Sequence, residues 1–99
     1  MEVTLVSIHS TLAARESKMR PIWKITEEIL TDWQNVSPHA QPYLNAMLYL
    51  DDFTSQYGLD DGESVVLYFL SNATTWRGET ARRIKAELRK DLKEYRRRI

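Results

Sequence analysis

The chain contains no cysteine, which excludes disulfide staples, thiolate metal sites and thiol chemistry and fits a reducing compartment. Glycine is scarce, with three in 99 residues, and no phosphate loop, dinucleotide fingerprint or nucleophile elbow can be written with them. The two histidines, His9 and His39, have no ligand pattern around them, so neither is expected to act as a base or a metal ligand. The acidic residues Asp51, Asp52, Asp60, Asp61 and Glu63 lack the alternating oxygen positions and distal glutamate of a calcium-binding loop. No apolar run approaches the ~20 residues that a membrane-spanning helix needs. The opening stretch Met1 to His9 lacks a basic region, and its apolar part is short and interrupted, so it does not read as a signal peptide. The expectation is a cytoplasmic, non-enzymatic protein with no catalytic residues, no cofactor, no metal and no membrane contact.

Zero net charge conceals an asymmetry. Residues 1–76 carry four basic and ten acidic side chains, a net of −6, whereas residues 77–99 carry ten basic and four acidic, a net of +6. The two parts either attract each other or face different partners.

Hydrophobic periodicity predicts an all-α fold, a compact bundle of four helices with a long basic amphipathic C-terminal helix. Residues 1–18 show no sustained period and read as an extended or disordered arm, with Met19 a plausible alternative start and residues 19–99 a single helical domain. The first helix is expected near 21–35, opened by Pro21 and carrying Ile22, Ile25, Ile29 and Trp33 on one face, widened by Trp23 and Leu30. The second is expected near 39–57, with Gly58 as its left-handed stop. The third, near 61–72, has Asp60 as cap with Glu63 in a capping box, and its run Val65 to Leu70 is apolar on every side, which places it at the bundle centre. The fourth, near 75–97, would be capped by Thr74 or Thr75.

The fourth helix sorts its residues by face. Ala81, Ile84, Leu88, Leu92, Tyr95 and Ile99 make an apolar seam, whose end offers a surface for a homodimer. Arg82, Arg83, Lys85, Arg89, Lys90, Lys93, Arg96 and Arg97 fill one flank, and Glu87, Asp91, Glu94 and Arg98 the remaining strip. The flank reads as a contact for phosphates or an acidic protein surface; the plainer alternative is a solvated face moderated by pairs such as Arg83–Glu87 and Lys90–Glu94. A second candidate surface is the corner Asn72, Thr74, Thr75, Trp76 and Arg77, where a helix start could attract an anion. There the plainer account, capping threonines and a core tryptophan, is preferred.

The segments Tyr43 to Met47 and Ser64 to Leu88, above all Trp76-x-Gly78-Glu79-x-Ala81-Arg82-Arg83-x-Lys85-x-Glu87-Leu88, resemble a group of small helical proteins of bacteriophages and mobile elements. The resemblance covers roughly residues 19–90 and carries over no catalytic residue. It implies an accessory protein that binds a host or phage protein, defence systems included, or assists nucleic-acid transactions inside the host bacterium. The leading expectation is binding to a host or phage protein with an acidic surface through the last helix, and the runner-up is direct binding of DNA or RNA by the same residues.

Overall fold

The computed structural model describes residues 19–98. They form α1 (Ile22–Asp32), α2 (Gln41–Met47), β1 (Gln56–Tyr57), β2 (Asp60–Asp61), α3 (Gly62–Ser71) and α4 (Glu79–Arg98). The arm expected over 1–18 lies outside the described residues, as does Ile99. No helix among the described residues is long and apolar enough to cross a membrane.

Pro21 immediately precedes α1, and its carbonyl accepts from the N–H groups of Lys24 and Ile25. Ile22, Ile25 and Ile29 are buried as their spacing requires, and Trp33 joins them just past the helix end. Trp23, expected to widen this face, is 37% exposed. The helix ends at Asp32, ahead of the predicted stop, because Trp33 turns to an extended conformation while its N–H still donates to the Ile29 carbonyl at 2.8 Å.

The largest departure from expectation is the second helix, which stops at Met47 instead of continuing to residue 57. Local polar bonding competes successfully with the helical ladder here. Ser55 Oγ accepts from the N–H groups of Asp51 and Asp52, and Asp52 Oδ1 accepts from the N–H and hydroxyl of Thr54. The turn so formed supplies acceptors that two helix starts require. Asp51 and Leu50 carbonyls accept from Ile22 and Trp23 at the head of α1, at 3.0 and 2.9 Å; Ser55 and Phe53 carbonyls accept from Gly62 and Glu63 at the head of α3, at 2.7 and 3.2 Å. Leu50 and Phe53 point inward, so the apolar pattern that suggested a longer helix is satisfied by a loop.

A short antiparallel hairpin follows, pairing Gln56 with Asp61 and Tyr57 with Asp60. The fold is therefore mostly helical but not all-α. Gly58 does adopt the left-handed region, at φ 65°, yet as the first residue of a two-residue hairpin turn and not as a helix stop.

The cap of α3 is Asp61, not Asp60: its Oδ1 accepts from the Ser64 N–H at 2.8 Å. That bond holds the Asp61 carboxyl below its usual range. Glu63 does not close a capping box but pairs with Arg96. Nor is α3 buried all round. Gly62, Val65, Val66 and Phe69 are buried, Leu67 and Leu70 are half-buried, and Tyr68 is 48% exposed. The helix thus has an outer side and packs between α2 and α4.

α4 begins at Glu79, later than predicted. Thr74 and Thr75 lie too far ahead of its first turn to cap it. Ala81, Ile84, Leu88 and Leu92 are buried, which fixes one face of α4 against α1 and α3. Tyr95 packs on Phe53 with ring centroids 5.4 Å apart, so this part of the seam is covered from within the chain.

Candidate functional site

The charge on α4 divides between bonds that hold the fold and cations left over. Arg83 pairs with Glu28 of α1, and Arg96 with Glu63 of α3 at 2.5 Å. Lys85 Nζ donates to the carbonyls of Ala73 and Trp76, both at 2.7 Å, and lies 5.8 Å from the Trp76 ring centroid. Burial, then the neighbouring charges of Arg89 and Arg77, lower the pKa of Lys85. Arg20 forks onto Glu87 at 2.9 and 2.7 Å and reaches Glu28 at 3.0 Å. Glu28 is consequently shared by two guanidiniums, Arg83 first and Arg20 second, which hold its carboxyl below the usual range. Three of the predicted contact residues, Arg83, Lys85 and Arg96, therefore have internal partners. The Arg83–Glu87 and Lys90–Glu94 pairs expected along the helix are not formed.

Arg82, Arg89, Lys90, Lys93 and Arg97 are exposed and make no ion pair among the described residues. Arg82 and Arg89 are seven residues apart, about 10.5 Å along the axis, and Lys93 and Arg97 continue on the same side at four-residue steps. Some of this charge suits the helix itself, since Arg96, Arg97 and Arg98 complement the dipole in its last turn. The residues nearer the middle have no such role.

Beside these cations runs a groove of about 600 Å³ between α3 and α4. The half-buried Leu67 and Leu70 supply its apolar surface over the buried Leu92, and Arg89, Lys93, Arg96 and Arg97 its charged wall. The charged wall was legible from the period of α4. The leucines are not legible in the same way, because the run Val65 to Leu70 is apolar on every side and gives Leu67 and Leu70 no outward face in the sequence. The available signal was polar: Ser64 and Ser71 flank Leu67 at three and four residues on one helical face, marking that face as the outer one.

In the corner after α3, Trp76 is a core residue as the plainer account expects, but Thr74 and Thr75 do not cap α4. Trp76 is 2% exposed and cannot contact a partner. It stacks on Trp33 with centroids 5.7 Å apart and planes at 12°, and its indole N–H donates to Asp32 at 2.8 Å. Asn72 donates to the Tyr68 carbonyl at 2.8 Å and closes the end of α3. Thr74, Thr75 and Arg77 are exposed, with no feature that draws them into one site. A separate apolar surface, unforeseen from the sequence, lies at the hairpin: Leu59 is fully exposed and Tyr49 is 76% exposed, its ring 5.9 Å from that of Tyr57. Among the described residues, no three histidine, aspartate or glutamate side chains converge as a metal site would require.

One carboxylate on the acidic strip of α4 is poorly placed. Burial first, and then Glu87, push the Asp91 carboxyl up to about 6. A proton bound more tightly in the folded state means that this group favours folding below about pH 4 and loses that contribution as pH rises through about 6. Asp91→Asn is expected to stabilise the protein at pH 7 by about 1 kcal/mol, the full shift being reduced by solvent screening at a half-buried site. Denaturant titrations at pH 4 and pH 7 check this: the gain should appear at pH 7 and vanish at pH 4.

No family model matches the chain, and neither does any curated protein or solved structure.

Proposed function

We propose that this is a non-enzymatic accessory protein, of the phage type its sequence resembles, that binds a host or phage protein with an acidic surface through α4. The observation carrying this reading is the set of five exposed cations, Arg82, Arg89, Lys90, Lys93 and Arg97, without an ion pair among the described residues. Internal attraction between the acidic and basic parts of the chain uses Arg83 and Arg96 and leaves these five cations available. Blocking a host system, defence included, is the role such binding would serve. The same cations support the second reading, contact with the phosphates of DNA or RNA. The apolar surface beside them favours a protein, because a phosphate backbone offers nothing to bury against the half-buried Leu67 and Leu70.

The test is capture from host lysate by the full chain, with and without nuclease treatment. An acidic protein retained after nuclease and released by salt is the expected outcome. Recovery that disappears with nuclease, leaving only nucleic acid in the untreated sample, would put the second reading in its place.

A further inference from the structure

The groove between α3 and α4 adds shape to what is otherwise a field of charge. Leu67, Leu70 and Leu92 face it from two helices, and none of its lining residues is acidic. Arg96 is already engaged by Glu63. Arg89, Lys93 and Arg97 are not paired among the described residues, so a shallow, open apolar groove is bordered on one side by a cationic row. From Arg89 to Arg97 this row runs about 12 Å, a little over two helical turns.

We infer that the groove receives one face of an acidic amphipathic helix belonging to the protein partner. This rests on the proposal that α4 binds an acidic protein, and it specifies how. A helix can place apolar side chains at positions i, i+4 and i+7 over two turns, about 10.5 Å, which matches the length of the row. Carboxylates flanking that apolar stripe would meet Arg89, Lys93 and Arg97, giving charge-assisted contacts at the rim around an apolar centre. Each part of the occupant answers a part of the groove: the leucines select the stripe, and the unneutralised cations select its acidic border. A nucleic-acid backbone would satisfy the cations alone. A second copy of this chain would have to offer an acidic apolar element, and among the described residues the hairpin around Leu59 and Asp60 is one segment of that composition.

The experiment titrates the full chain with fluorescein-labelled synthetic peptides. One is an acidic helical peptide with leucine at i, i+4 and i+7; the second is its scramble, of identical composition and charge. Duplex DNA serves as a competitor, and sedimentation of the chain alone reports self-association. The patterned peptide is expected to bind at least tenfold more tightly than the scramble. In the ¹⁵N-labelled parent protein, amide resonances of Leu67, Leu70, Ser71, Leu92 and Lys93 should shift with it. This second readout needs no substitution, so it does not depend on a groove variant folding. Equal binding of peptide and scramble would overturn the groove while leaving the cationic surface in force. Absence of binding by either peptide would remove both readings. Shifts confined to residues 56–61, displacement of the peptide by duplex DNA at equal concentration, or self-association that occupies the groove would each overturn the inference.

Discussion

Trp76→Ala should unfold a large part of the population at temperatures where the parent is native. Trp76 is 2% exposed and stacked on Trp33, its ring centroid lies 6.4 Å from that of Phe69, and its N–H is bonded to Asp32. It also forms the surface over which Lys85 reaches the 73–76 turn. Truncation at such a site costs about 3–5 kcal/mol, against a total stability of roughly 5–15 kcal/mol for a domain. In a chain of this size the melting temperature should fall by at least about 12 °C. Trp76→Phe keeps most of the ring and loses the hydrogen bond to an exposed carboxylate, so its cost should be nearer 1 kcal/mol. Thermal melts of the two variants beside the parent check the ordering. An alanine variant that melts like the parent would mean that α1, α3 and α4 do not meet at this residue.

The second large effect is expected at Gly62, where adding a methyl group should be costly even though alanine is the better helix former. A Cβ at this position would lie 2.5 Å from the Asp52 carbonyl oxygen and 2.9 Å from the Phe53 Cα. Both are backbone atoms in the turn that caps α1 and α3, so moving them disturbs four capping hydrogen bonds together. Gly62→Ala should destabilise by about 3 kcal/mol, the upper part of the range for overpacking a tight site. Intrinsic propensity alone predicts the opposite sign, a gain of up to about 1 kcal/mol. The midpoint of chemical denaturation separates the two, since a shift to higher denaturant would show that the turn yields freely. At Gly58 an added Cβ meets nothing within 4 Å, and only the left-handed backbone opposes the change.

These two sites mark where the sequence was legible and where it was not. The cores of α1 and α4 followed from spacing, because a three-to-four period of isoleucine and leucine has one compact solution. The turn at 50–55 did not follow. Leu48, Leu50 and Phe53 continue the apolar pattern of α2, and only the bonds of Asp52 and Ser55 reveal that the chain has left the helix. The hairpin was hidden for the same reason, with Gly58 assigned the correct backbone region and the wrong element. The cationic flank of α4 was visible as a pattern, but its division was not. Which arginines are free depends on Glu28 and Glu63, 55 and 33 residues away from the partners they take. The groove needed both pieces of missing information, the outer side of α3 and the residual charge of α4.

The division also changes how the surface should be probed. Glu87 is unsuitable as a neutral control on the acidic strip, since it accepts both hydrogen bonds from Arg20. Arg83, Lys85 and Arg96 are unsuitable as binding probes, since their loss also removes contacts within the chain. Arg82, Arg89 and Lys93 remain, and glutamine at these positions keeps helix propensity and most of the apolar stem while removing charge.

The most direct measurement is therefore the affinity of the captured partner for the parent and for the triple variant Arg82→Gln, Arg89→Gln, Lys93→Gln, with Glu27→Gln as the control. The triple variant should melt like the parent and bind at least tenfold more weakly, about 1.4 kcal/mol, while the control binds as the parent does. A folded triple variant with undiminished affinity would contradict the account and reduce the cationic side of α4 to a solvated face.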